Sequence, residues 1–197
     1  MARRSGWILA VLVAGTVAFA QETDLGELRR ELGSTDPAMR KKAVEALAAL
    51  GAAAAPAIPE LVPLLDEWDL SEPVRKILVA LGAPAAAPLA ERLRTATDDD
   101  AGFRVDAIQA LAEIGPAAAE SAGPVLVELV RRRMPDVSGR AAEALGAIGP
   151  VEGAVEALVS LTGGDELWGR NKAIGALGAL GPRAAAAVPA LIALTEA

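Results

Sequence analysis

The chain has 197 residues, of which 53% are apolar but only 3% aromatic, and its formal net charge is −7. It contains no histidine, cysteine or tyrosine, which excludes zinc sites built from nitrogen and sulfur, disulfides, and Ser-His or Cys-His nucleophile pairs. A core of this size must come from Ala, Leu, Val and Ile, and with no alternating run of strand formers an all-α fold is predicted.

Residues 1–20 stand apart from the rest. Arg3 and Arg4 precede an apolar run from Trp7 to Val17, and Ala18-Phe19-Ala20 offers a small-x-small cleavage site. This is the pattern of a secretory signal peptide, and the run is short against the ~20 residues of a spanning helix. The expected mature protein begins at Gln21, is soluble after export to the periplasm or beyond, and carries a net charge of −9 once Arg3 and Arg4 are gone. Such an acidic chain is a poor ligand for nucleic acid, whose affinity rests on cationic contacts to phosphate.

From Asp24 a repeat begins. Leu25, Leu28 and Leu32 form the stripe of a first helix, and Gly33-Ser34-Thr35-Asp36-Pro37 is a turn with Asp36 as N-cap and Pro37 as first helical residue. The phrase R-K-K-A-V-E-A-L-A-A-L-G comes next at Arg40–Gly51 and returns at Arg104–Gly115 and Arg170–Gly181, with looser copies at Ser71–Gly82 and Ser138–Gly149. Counting from zero, positions three, six, seven and ten are apolar, one stripe of a 3.6-residue helix. The closing glycine suits a left-handed C-terminal position. A period of 31 to 34 residues between those glycines signifies stacked supersecondary units, a solenoid.

Between phrases lies another helix carrying P-x-L-x-x-L or a close variant: Pro59, Leu61, Leu64; Pro124, Leu126, Leu129; Pro189, Leu191, Leu194. Pro56, Pro59 and Pro63 should kink or split the one after Gly51. Asp98-Asp99-Asp100 reads as a turn with Asp100 capping the third phrase helix, since calcium would need about six to eight oxygens. Arg131–Arg133 reads as a solvated helix end favoured by the dipole. Trp68 and Trp168 suit either interface anchors or caps over the core. The last helix, Pro182 to Ala197, is expected to cover the fifth phrase helix with Val188, Leu191, Ile192 and Leu194.

The five in-phase copies resemble HEAT repeats, in particular the alanine-rich kind grouped with phycobilin-lyase repeats, over roughly residues 24–197. The resemblance implies a right-handed α-solenoid of about five helix pairs plus a closing C-terminal helix. It implies that the proline-bearing helices lie on the convex side and the phrase helices line the concave side. It also implies a polar ladder in which an Asp six residues before the Arg joins neighbouring repeats. Here only Asp98 and Arg104 keep both partners; Arg40 is preceded at that spacing by Ser34 and Arg170 by Gly164, while Ser71 and Ser138 replace the Arg.

Phrase positions zero, two, five and nine fall away from the buried stripe and form the candidate protein-binding ridge, roughly 40 Å long for five helices at 8–10 Å spacing. Its residues are Arg40, Lys42, Glu45 and Lys76, then Arg104, Asp106 and Gln109, then Arg140, Glu143, Arg170 and Lys172. No Gly-rich phosphate loop, metal site or cofactor site is predicted. The reading is an exported, monomeric, non-catalytic scaffold for another protein. The rivals are a bilin lyase or chaperone-like protein, which the resemblance to lyase repeats raises, and a structural envelope-assembly protein.

Overall fold

The computed structural model describes residues 25–195; the expected signal peptide, its cleavage point before Gln21, and Asp24 lie outside the described residues. Every regular element among the described residues is helical, with no strand. Helix α1 occupies 25–32, and α2 Pro37–Leu50, α3 Ile58–Leu61, α4 Ser71–Leu81, α5 Ala83–Thr95 and α6 Ala101–Ile114 come after it. Then come α7 Ala119–Arg131, α8 Val137–Ile148, α9 Ala154–Thr162, α10 Leu167–Leu180 and α11 Val188–Thr195.

The phrase helices α2, α4, α6, α8 and α10 stack side by side in one layer; α3, α5, α7 and α9 form a second layer against them. This is the arrangement of a helical solenoid, in which each pair needs its neighbours to bury both faces. Most of the predicted stripe is core: Ala43, Leu47, Ala107, Ala110 and Leu111 are fully buried, while Ala46, Leu50 and Ile114 are only partly so. Position four joins it, as Val44 and Ile108 show, because a phrase helix packs both on its own pair and on the next phrase helix. Small residues let those backbones close in. A Cβ added at Gly146 of α8 would lie 2.9 Å from the Ala176 Cα of α10.

The helix signals operate as read. Gly51, Gly82, Gly115, Gly149 and Gly181 all have positive φ, the region where only glycine is unstrained. Asp36 Oδ1 accepts from the Ala38 N–H at 2.9 Å. The prolines after Gly51 split that element into 3₁₀ turns at Gly51–Ala57 and Val62–Asp66 around the single turn of α3, because each lacks the N–H a continuous helix would use. Pro37–Asp66 and Leu167–Leu194 are long and apolar enough to cross a membrane by composition. Each, however, reverses at a positive-φ glycine, Gly51 or Gly181.

Two expectations are corrected. Asp100 is not the side-chain cap of α6. A 3₁₀ turn at Asp98–Asp100 precedes the helix, and Asp100 turns back to close a reciprocal capping box with Thr97. The cover over α10 also differs from the expected set. Residues Gly181–Ala187 are 3₁₀, with Ala184 outside helical φ/ψ, and a turn of three residues rather than 3.6 shifts the phase of the helix after it. Ala184 and Ala187 are therefore buried, and this 3₁₀ segment packs on α9 and α10. Val188 and Ile192 are half exposed, while Leu191 still packs against the core.

Candidate protein-binding face

The eleven predicted ridge residues separate into two groups according to position in the phrase. The position-zero arginines face the turns, not solvent. Arg40 donates to the Ser34 carbonyl at 2.7 Å, in the turn before its own helix, and to Glu67 Oε2 at 3.0 and 2.7 Å in the corresponding turn of the next pair. Arg170 donates twice to the Gly164 carbonyl, at 3.2 and 2.7 Å. Arg104 is only 5% exposed; it donates to the Thr97 carbonyl and lies 3.8 Å from the Met134 sulfur of the next turn. Ser138, standing where the phrase has Arg, is buried and donates to the Leu129 carbonyl at 3.0 Å. Arg40, Arg104 and Arg170 are therefore staples of the turns, and for Arg40 and Arg170 a backbone carbonyl stands in the place expected for a ladder Asp. A carbonyl serves because a guanidinium needs only a well-placed acceptor oxygen.

Positions two, five and nine form the open face. A groove of about 390 Å³ between α6 and α8 is lined by Ile108, Gln109, Ala112, Glu113, Arg140, Glu143 and Ala147. A second, of about 420 Å³ between α8 and α10, shares Glu143 and Ala147 and adds Lys172, Asn171 and Gly175 among others. A third, of about 330 Å³ between α1 and α2, includes Lys42. Glu45, Lys76 and Gln109 are exposed, and Asp106 is half-buried.

Charges on this face are largely paired across helices. Arg75 of α4 reaches Glu113 of α6 and lies 3.9 Å from Asp106. Lys172 of α10 meets Glu143 of α8 at 2.7 Å. Lys76 bonds Glu72 one turn back at 2.7 Å, and Gln109 donates to Glu113 at 3.0 Å. Arg75 and Glu113 are not among the predicted ridge residues. Glu113 carries its own signal, since it occupies position nine of the third phrase.

The other candidates resolve by their contacts. Trp168 covers the core: its ring fills the space where a Cβ on Gly139 would lie, at 2.2 Å, and the Arg140 guanidinium sits 5.7 Å from its centroid. Trp68 is 95% exposed. In the basic run, Arg132 pairs with Glu128 at 3.3 Å and Arg133 donates to the Ser160 carbonyl at 2.7 Å. The Arg131 guanidinium lies against Gly153. Asp100 accepts from Thr97 N–H at 2.7 Å and from Arg92. Its carboxyl is held well below the usual carboxylate range by the Arg92 hydrogen bond first and the two Thr97 bonds next. No group of three or more metal-ligating side chains occurs among the described residues.

Comparison with known families gives two matches. Residues 86–178 match the model for HEAT repeats, and residues 39–67 match the PBS lyase HEAT-like repeat. The first runs from within α5 to most of α10 and takes in both central grooves apart from Ala179. No curated protein matches the sequence.

Proposed function

We propose, starting from the fact that the chain belongs to the HEAT-repeat family, that it is an exported, non-catalytic scaffold holding another protein on the face of its phrase helices. In this reading the helices form a right-handed solenoid of five pairs with a closing C-terminal segment, and α2, α4, α6, α8 and α10 line its concave side. The observation that carries the proposal is the pair of central grooves. They lie side by side from α6 to α10, share Glu143 and Ala147 of α8 as their common wall, and present apolar floor beside paired charge, the mixed surface of a non-obligate interface. The acidic chain takes a protein partner rather than nucleic acid, needs no cofactor, and acts as a soluble monomer after cleavage behind Ala20.

Ala147 is exposed and lines both grooves, so Ala147→Trp should fill them without touching the core. In a pull-down from the exported fraction, partner capture should fall while far-UV circular dichroism stays unchanged. Capture at the wild-type level would move the site to the opposite helical layer or to the corner carrying Trp68. Intact mass of the exported form beginning at Gln21 tests localisation, and a retained Met1 in a membrane fraction contradicts it.

The match of 39–67 to the PBS lyase HEAT-like repeat favours one further reading, a bilin lyase or a bilin-handling chaperone. Incubation of the purified chain with a bilin and an acceptor protein, then absorbance, separates the two: covalent chromophore on the acceptor would establish the lyase, and its absence leaves the scaffold.

A further inference from the structure

Arg140 stands outside the pairing that neutralises the other charges of its groove. It lines the α6–α8 groove and has carboxylates on either side of it, yet no ion pair joins it to either. Glu143, three residues on and the natural partner on the same helix, bonds Lys172 instead. Glu113 accepts from Arg75 and Gln109. Trp168 holds the Arg140 guanidinium against its ring from the far side, and the Arg140 Nε is buried without a hydrogen-bond partner among the described residues. That nitrogen is enclosed and out of a ligand's reach, but an arginine offers five N–H donors in a fixed fork, and no hydrogen bond among the described residues occupies the terminal four.

Resting on the protein-binding reading above, we propose that the α6–α8 groove receives one carboxylate of the partner, an Asp or Glu side chain beside an apolar residue. Arg140 supplies the counter-charge, and Ile108, Ala112 and Ala147 supply the apolar floor. The charge balance selects the ligand. Glu143 pairs with Lys172, and Glu113 shares Arg75 with Asp106, so Arg140 is the groove-lining cation that no ion pair among the described residues engages, and a single negative charge matches it. A phosphate dianion would bring excess negative charge beside those two carboxylates. A planar carboxylate also matches the guanidinium fork in a bidentate pair. Trp168, seated on Gly139, fixes the arginine before the ligand arrives, so little side-chain entropy remains to be lost on binding.

The test uses the full chain with ¹⁵N-arginine and three acetylated, amidated peptides: Ser-Gly-Leu-Asp-Leu-Gly-Ser, the same with Asn for Asp, and the same with phosphoserine for Asp. The Arg140 Nε–Hε resonance, assigned by its loss in Arg140→Lys, should shift saturably with the Asp peptide. Binding should weaken on the order of tenfold with the Asn peptide, the loss expected for one charge-assisted pair. Arg140→Gln should abolish the preference, and Arg132→Gln, on the other layer, should leave it intact. An Asn peptide that binds equally, a phosphoserine peptide that binds best, or an Arg140 resonance that ignores all three overturns the carboxylate site. Equal Asp and Asn binding with partner capture still blocked by Ala147→Trp would fail this inference alone. Asp preference through Arg140 with capture untouched by Ala147→Trp would support the carboxylate site and fail the groove as the seat of the captured partner.

Discussion

Arg104 and Gln109 stand five residues apart on α6 and occupy opposite worlds. Arg104 is 5% exposed, bonded to the Thr97 carbonyl and in contact with Met134 of the next turn. Gln109 is exposed, bonded to Glu113 on its own helix, and lines a groove. The same contrast separates Arg170 from Lys172 on α10. Both members of each pair lie off the apolar stripe, so polarity alone does not distinguish them. What differs is the distance from the start of the helix. Position zero abuts the turn, where the carbonyls of Ser34, Thr97 and Gly164 lie within reach of the guanidinium. Positions two, five and nine lie along the middle of the helix, whose backbone is already satisfied. A charge at the turn edge is therefore committed to the fold, and a charge on the helix face remains available to a partner.

The strongest way to break this contrast is charge reversal at the edge. Arg104→Glu would place a carboxylate against the Thr97 carbonyl in a buried site, and an uncompensated buried charge costs about 3–5 kcal/mol. Urea unfolding should show that loss at neutral pH. Little or no loss would mean that Arg104 reaches solvent, and the division between edge and face would fail at its central example. A milder version compares two residues of α10. Arg170→Ala removes two charged hydrogen bonds to the Gly164 carbonyl and should cost about 1–3 kcal/mol. Lys172→Ala removes one exposed pair with Glu143 and should cost less than ~1 kcal/mol. Equal values, read from the same unfolding curves, would erase the distinction.

Acid sharpens the comparison at the same edge. Asp100 belongs to the Thr97 turn that Arg104 staples, and its carboxyl is depressed by Arg92 and Thr97. A depressed folded-state value means that the carboxylate stabilises the fold above its ordinary titration near pH 4. That contribution is lost as the pH falls from there through the lower folded value. The melting temperature of Asp100→Asn should thus lie below wild type at pH 7, and the gap should narrow steadily below about pH 4. A gap that is constant with pH would show that the capping box acts through shape alone.

The stacked helices were legible because their signals are local: Ala43 and Leu47, or Ala107 and Leu111, sit one turn apart, and Gly51 or Gly115 stops the helix by its own backbone preference. The partners of Arg40 and Arg170 were not, because a carbonyl acceptor has no side-chain signature; Ser34 and Gly164 look like vacancies in a ladder of aspartates. Trp168 needed a glycine 29 residues earlier to reveal its seat. Arg75 lay one position off the predicted ridge and reaches across to α6 only once the helices are placed. The closing segment escaped for a different reason. Its alanines read as ordinary helix, and nothing in Gly181–Ala187 besides Pro182 announces the tighter turn that moves Val188 and Ile192 outward.

The smallest expected effect tests the face itself. Gln109→Ala removes one side-chain bond to Glu113, four residues along the helix, a pairing worth about 0.2–0.5 kcal/mol on an exposed helix. Alanine recovers a comparable amount through its higher helix propensity. Glu113 keeps its Arg75 partner, so no carboxylate is stranded. The two terms nearly cancel, and stability should stay within about 0.5 kcal/mol of wild type by urea unfolding. A loss above ~1 kcal/mol would mean that Gln109 holds α6 against a neighbour, which would make the groove wall a structural seam. An unchanged midpoint together with weakened partner capture would assign Gln109 to binding, because a side chain that contributes nothing to folding can lower capture only through the surface it presents.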